Sequence, residues 1–425
     1  MDWASVPRVD FTADRLPNGL EVVLCPDRRV PLVHVSVHYR VGSSDESPGY
    51  SGLAHLLEHL MFQGSANVAK NEHGRLVDQA GGRWNASTSK DRTCYFETLP
   101  ANQLELALWL EADRMASLRL TEENLENQRQ TVIEEKKQSY DNRPYGIASL
   151  RFDELAYRNW AYAHPVIGAV EDLMRVTVAD LQAFHQRHYG PGNAVLTVTG
   201  NFEPRQAEEL ILRHFGPVSD LANGRQRPVL EEPEQQAERR EEMVDPLAPL
   251  AAVSMGFQMP PLGTPQHAAL SVLALVLGEG ASSRFYQRFI YDRPWITGLW
   301  IGPNRCRGPQ LFRIWFQVQQ GVDPSEVLAE VDHEIERVRE AGVTPEELEK
   351  ARNQVIHRHV SSLARVARVG ELLAQGASVQ GRPDASWEEL QQILGVTREE
   401  VREAADRYLD PRRRTLMVIH PGRKS

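Results

Sequence analysis

Apolar and β-branched residues alternate with polar ones over residues 20–25 and 33–39, which predicts two strands near the start of the chain. A helix is expected from about Ser51. The stretch GGRWNASTSKDRTCYFETLP follows, rich in Thr, Tyr and Phe and bounded by Gly81-Gly82 and Pro100, and it reads as a strand or hairpin. Helical periodicity then covers residues 101–117 and 121–140. Thr121 is the expected N-cap of the second helix, with Glu122 and Glu123 in its first turn, and Asp141-Asn142-Arg143-Pro144 is its stop signal. Strands and helices mix without strict βαβ alternation, so the expected class is α+β.

The pattern repeats. Val176, Thr177, Arg187, Pro191, Leu196 and Val198 recur at one constant offset as Val396, Thr397, Arg407, Pro411, Leu416 and Val418. Each copy reads as a polar helix, a Pro-containing turn and an alternating strand. Pro31-Leu32 and Val35-Ser36 likewise match Pro249-Leu250 and Val253-Ser254 at nearly the same offset. Two duplicated halves follow, each expected to be a mostly antiparallel sheet covered by helices. The charged, Pro-containing stretch between them is the expected linker, which divides the chain into 1–217, 218–245 and 246–425.

Composition excludes several classes. Apolar residues make up 41% and charged residues 25% of the 425, which is globular rather than disordered or collagenous. A net charge of −10 argues against nucleic acid or an anionic membrane as a partner of the general surface. No long apolar run predicts a membrane span, and the N-terminus lacks the pattern of an export signal. Cys25, Cys94 and Cys306 are scattered without CxxC spacing and read as reduced thiols, so the expected compartment is the cytoplasm. Periplasmic residence is the alternative if an export signal has been removed.

The sharpest local feature is His55-Leu56-Leu57-Glu58-His59, within SGLAHLLEHLMFQG. On a helix, His55, Glu58 and His59 share one face. Two imidazoles one turn apart can reach one Zn²⁺, and the carboxylate beside them is placed to take a proton from an attacking water. The leucines, Met61 and Phe62 make the segment too apolar for an exposed helix. The ionisable groups are therefore half-buried, which a divalent cation would compensate. A third ligand is needed. Glu134 and Glu135 both follow the apolar pair Val132-Ile133, and about 100° of helix separates them. The residues alone leave the choice between the two open.

The HxxEH motif, a downstream V-I-E-E and duplicated α+β halves together resemble the pitrilysin-type (inverzincin) zinc metallopeptidases, in particular bacterial processing-peptidase-like members. RVGSSDESPGYSGLAHLLEHLMFQGS, GGRWNASTSKDRTCYFETLP, DNRPYG, AHPVIG and GEGASSR extend the resemblance over essentially the whole chain. It implies that His55, His59 and Glu135 bind Zn²⁺ and that Glu58 is the catalytic base. It also implies that Asn85 and Ala86 hold an extended peptide as an added strand. Two departures stand out. Gln128 replaces a Glu carried by many members, and the second half has Ile290 and Thr297 where active members place an Arg and a Tyr that grip the substrate. His164 reads as structural and His73 as a surface residue.

The function expected is a zinc-dependent peptidase that hydrolyses peptides or small unfolded polypeptides in a chamber formed by two two-domain chains. The partner is then a homologous subunit without zinc that supplies the Arg and Tyr, or a second copy of this chain. The rival reading is a non-catalytic scaffold subunit of the same fold.

Overall fold

The computed structural model describes residues 6–220 and 228–422. The chain forms two compact units. The first combines residues up to Glu134 with Pro165–Val229 and His359–Trp387, and the second combines Glu135–His164, Leu230–Arg358 and the chain from Glu388 on.

The first unit holds a six-stranded sheet built from β1 (Thr12–Arg15), β2 (Glu21–Pro26), β3 (Leu32–Tyr39), β4 (Arg83–Thr88), β5 (Thr93–Pro100) and β6 (Ala194–Gly200). Its order is β1-β2-β6-β3-β5-β4, with β2 and β6 parallel and every other pair antiparallel. Strand β3 shows why the sheet needs cover on both faces. Val33, Val35, Val37 and Tyr39 alternate with His34, Ser36 and His38, and all seven are buried. Helix Val366–Gln375 packs against β3 and β6. Its Gly370 permits the close approach, because a Cβ there would stand 2.6 Å from the His34 ring. Burial drives the His34 pKa down to about 4, so this histidine is a neutral packing residue.

The second unit's sheet is built from β7 (Arg239–Asp245), β8 (Ala252–Met259), β9 (Ile296–Pro303), β10 (Gln310–Val318) and β11 (Thr415–Pro421). Its order is β7-β11-β8-β10-β9, again with one parallel pair, β7 with β11. Apart from β1, the two sheets have the same connectivity. Val35 pairs with Val198 in the first and Val253 with Val418 in the second, so residues matched by the sequence repeat also pair with each other. Phe257, Phe312, Phe316 and Leu273 fill the core on one face of the second sheet. Phe152, Tyr157 and Tyr162 pack on the other. The fold is α+β in two duplicated halves, each a largely antiparallel sheet covered by helices.

Two features differ from the sequence expectation. The linker expected at 218–245 ends in strand β7, which is charged because it is an edge strand, with Arg240, Glu242 and Val244 exposed. Residues 221–227 of that linker lie outside the described residues. The packing units are also interleaved in sequence, with 135–164 grouped in the second and 359–387 in the first, where the duplication suggests contiguous halves. Among the described residues no helix is long and apolar enough to cross a membrane. Cys25, Cys94 and Cys306 are buried, and none is in a disulfide.

His73 is not at the surface. It is 3% exposed, on α2 (Glu72–Gln79), where its Nε2 lies 2.9 Å from Glu97 Oε1. Glu97 belongs to a buried cluster with Glu111 and Arg114 of α3 (Leu104–Ser117). Arg114 Nε donates to Glu111 at 3.0 Å, its Nη2 lies 3.7 Å from Glu97, and its guanidinium stacks 4.2 Å from the Tyr95 ring centre. The histidine is drawn inward because its helix packs on β4, where its ring meets that of Trp84.

Two carboxyls face one guanidinium in this cluster, and burial raises the pKa of both, that of Glu111 well above the usual range. A carboxyl with a raised folded-state pKa keeps its proton after the unfolded chain has released its own. The contribution is therefore whole below the ordinary value of 4.5 and is lost as pH rises above it. His73 acts in the opposite sense, because burial takes it from 6.5 to about 3 and it favours the folded state as pH rises through that interval. Glu97→Gln should fold and should lose less stability than the wild type above pH 4.5, read as Tm against pH. Arg114→Met, which strands two buried carboxyls, should cost about 3–5 kcal/mol.

Candidate active site

The motif lies on α1 (Leu53–Leu60), whose Leu53, Leu56, Leu57 and Leu60 are buried in the first unit. That packing leaves His55 and His59 half-buried and Glu58 8% exposed. The helix begins at Gly52, in left-handed backbone at φ 87°, and has no side-chain N-cap. Glu46 compensates. Its carboxylate accepts the Gly52 N–H at 2.9 Å and the Ala54 N–H at 2.7 Å, adding a negative charge where the helix dipole favours one. Ser51 is fixed as well, donating its hydroxyl to Asp172 at 2.6 Å and accepting the Ala169 N–H at 3.0 Å.

Glu135 lies on α4 (Glu122–Lys136), an unbroken helix that starts in the first unit. Asn124 Nδ2 donates to the Gln63 carbonyl at 3.2 Å, tying α4 to the segment that ends α1. The buried Arg129 side chain donates to the carbonyls of Leu173 at 3.0 Å and Val176 at 2.7 Å. One π-helical turn, Lys137–Asp141, follows. One ligand atom each from His55, His59 and Glu135 lies within 4.8 Å of the others, while the imidazole rings meet edge to face at 4.8 Å. Two imidazole nitrogens and a carboxylate oxygen at this separation are a donor set that suits Zn²⁺ with an open fourth position.

Glu58 accepts a short hydrogen bond from the Thr88 hydroxyl, at the end of β4. Thr88 Oγ1 in turn lies 3.5 Å from Thr93 Oγ1, whose hydroxyl donates to the Val41 carbonyl at 3.0 Å. Strand β4 is an edge of its sheet. Asn85 is exposed there, Ala86 is half-buried, and the Ala86 N–H donates to Asn85 Oδ1 at 2.8 Å. His164 is buried and stacks on Trp160 at 3.7 Å, with Nδ1 2.6 Å from the Trp160 carbonyl oxygen. Gln128 is half-buried on α4.

In the second unit, Ile290 packs against the core and Thr297 is exposed on β9. The nearby cations are engaged. Arg284 donates to Glu347 at 2.6 Å and 2.7 Å, and Arg288 donates to Glu330 at 3.0 Å. Sequence reasoning missed Glu46, the tie from Thr88 to Glu58, and the anchors Asn124 and Arg129. Only Glu46 left a signal, since a helix opening at Gly52 needs an acceptor from elsewhere.

Comparison with known proteins bears on this arrangement. Residues 21–170 match the family described as Insulinase (Peptidase family M16), and residues 175–355 match the description Peptidase M16 inactive domain. The chain is 30% identical over 412 residues to the zinc protease PqqE of Helicobacter pylori, covering 96% of this chain and 92% of that one. The crystal structure of a protease from Helicobacter pylori superposes with a TM-score of 0.92 at 28% identity, covering 97% of this chain and all 100% of the other. A Pseudomonas fluorescens structure described as a peptidase M16 inactive domain superposes at 0.87 with 19% identity, over 97% of this chain and 98% of that one, and this shows the fold alone. A duplicated fold of this kind with a histidine-carboxylate cluster defines the class of pitrilysin-type peptidases. The chain belongs to peptidase family M16.

Glu46→Ala should leave two N–H groups at the start of α1 without their acceptor and lower stability by about 2 kcal/mol. A thermal melt measures the loss. An unchanged Tm would mean that the Glu46 carboxylate does not hold the helix.

Proposed function

We propose that the chain is a zinc-dependent peptidase in which His55, His59 and Glu135 hold the metal and Glu58 is the general base. The observation that carries this reading is the convergence of ligand atoms from two separate helices, with the Glu58 carboxylate one position from His59. When bound, zinc would polarise the scissile carbonyl and make water a better nucleophile. Glu58 takes the proton of the attacking water and later gives it to the leaving amine. Thr88 holds that carboxylate in place. The edge of β4, at Asn85 and Ala86, binds the peptide in extended form, so that backbone hydrogen bonds rather than side chains give most of the grip. The preserved donor set favours this over the scaffold reading. Three thiols without a disulfide favour the cytoplasm, with the periplasm as the alternative, and the substrates are peptides or small unfolded polypeptides.

Glu58→Gln should keep zinc and lose peptide hydrolysis by about 10²–10⁴-fold, because the amide retains the shape but accepts no proton. Glu135→Gln should lose zinc on dialysis against a weak chelator while Glu134→Gln keeps it, since only Glu135 joins the histidines. Turnover close to wild type in zinc-loaded Glu58→Gln would overturn the role of Glu58.

The missing clamp suggests the assembly. Ile290 and Thr297 offer no guanidinium or phenol to a substrate carbonyl, and Arg284 and Arg288 are held by glutamates. A homologous subunit that supplies an Arg and a Tyr would complete the site in a closed two-chain chamber, with a homodimer as the simpler form. Adding such a subunit should raise the rate about 10²–10³-fold, the usual worth of a donor to the developing oxyanion. A lone chain with full activity, unaffected by the partner, would contradict this.

A further inference from the structure

A cavity of about 780 Å³ opens on the second unit's sheet, a size typical of small-ligand sites. Along β10 the side chains alternate. Phe312, Ile314, Phe316 and Val318 enter the core, while Arg313, Trp315 and Gln317 face the other way and remain partly exposed. Helix α5 (Gly146–Ala156) lies on the same side of the second unit, and the loop before it brings Arg143 and Tyr145 to the cavity wall. The Tyr145 and Trp315 rings meet edge to face at 5.9 Å.

The charge of the wall is one-sided. Its lining includes Arg143 and Arg313 and no carboxylate. Arg313 lies over the Phe152 ring at 4.5 Å and reaches Asp153 through one contact of 3.3 Å, longer than a strong charge-assisted bond. Its remaining donors have no hydrogen-bond partner among the described residues, and the exposed Arg143 guanidinium has none either. Ring faces beside two partly unengaged guanidinium groups suit a carboxylate carried on an apolar stem. Tyr140, another wall residue, lies one turn past Glu135 on the π-helical turn that continues α4, so the cavity adjoins the helix that bears the candidate ligand.

We propose that this cavity is a substrate subsite that reads a carboxylate, with Arg313 and Arg143 as its contacts and Tyr145 and Trp315 as its apolar walls. The proposal rests on the peptidase reading and adds a specificity to it. The carboxylate comes either from an Asp or Glu side chain of the peptide or from its free C-terminus. Both present the same planar anion, which a guanidinium grips with two parallel bonds.

The test is equilibrium binding of fluorescein-labelled peptides to the full-length Glu58→Gln chain, with any homologous subunit that co-purifies, followed by anisotropy. One peptide sequence carries Glu, Gln or Lys at an interior position scanned along its length, and each version ends in a carboxylate or an amide. The acid form should bind about tenfold more tightly than its uncharged counterpart. The arm in which the preference shows, interior Glu against Gln or C-terminal acid against amide, identifies the source of the carboxylate. In Arg313→Gln and in Arg143→Gln the ratio should fall towards one, and Arg313→Lys should retain part of it. Because Arg313 also meets Asp153, the exposed Arg143 variant keeps the test decisive if Arg313→Gln folds poorly.

Equal binding of acid and uncharged peptides, or a preference that survives in both arginine variants, would overturn the proposal. Hydrolysis of the same peptides by the zinc-loaded wild type separates the two readings. Cleavage without a charge preference removes the subsite and leaves the peptidase, whereas neither binding nor cleavage removes both.

Discussion

A candidate metal-binding triplet drawn from two helices can work only if those helices are fixed against each other to within a fraction of an ångström, and several polar contacts of the first unit meet that constraint. Asn124 bonds the backbone just beyond α1, Arg129 pins α4 to the carbonyls of Leu173 and Val176, and Glu46 closes the first turn of α1. Each contact joins a side chain to backbone, and backbone does not change rotamer. The candidate ligands inherit that rigidity.

The same need explains the charges buried below β4. Arg114, Glu97, Glu111 and His73 tie α2, α3 and β5 together beneath the strand whose Thr88 holds Glu58. An apolar core could fill that space and would cost less desolvation. A directional network instead sets the register of one element against another, and the edge strand that would take the peptide depends on that register.

The duplication shows how little of the chemistry resides in the fold. Apart from β1, both sheets share one connectivity, and each has a helix following the corresponding inner strand, α1 after β3 and Pro265–Gly278 after β8. The first helix carries His55, Glu58 and His59. The second is almost wholly apolar, with His267 turned to Gln310 at 3.2 Å. The scaffold is common to both halves, and the site belongs to one.

Sequence by itself determined the α+β class, the duplication and the HxxEH face, because each is local or repeats. Alternation in residues 33–39, the capping Thr121, and the one-turn spacing of His55 and His59 depend only on neighbours along the chain. The third candidate ligand lies at the limit of that legibility. Helical phase separates Glu134 from Glu135, but which of them turns to the histidines depends on the rotation of α4, and Asn124 and Arg129 set that through distant backbone. The burial of His73 is hidden from the sequence for the same reason, since a polar helix gives no sign that a buried Glu97 waits on another strand. The interleaved units and the cavity beside Arg313 were likewise decided by tertiary structure, which brings residues far apart in the chain onto one face of a sheet. Periodicity encodes which side of an element is buried, and only packing decides what that side meets.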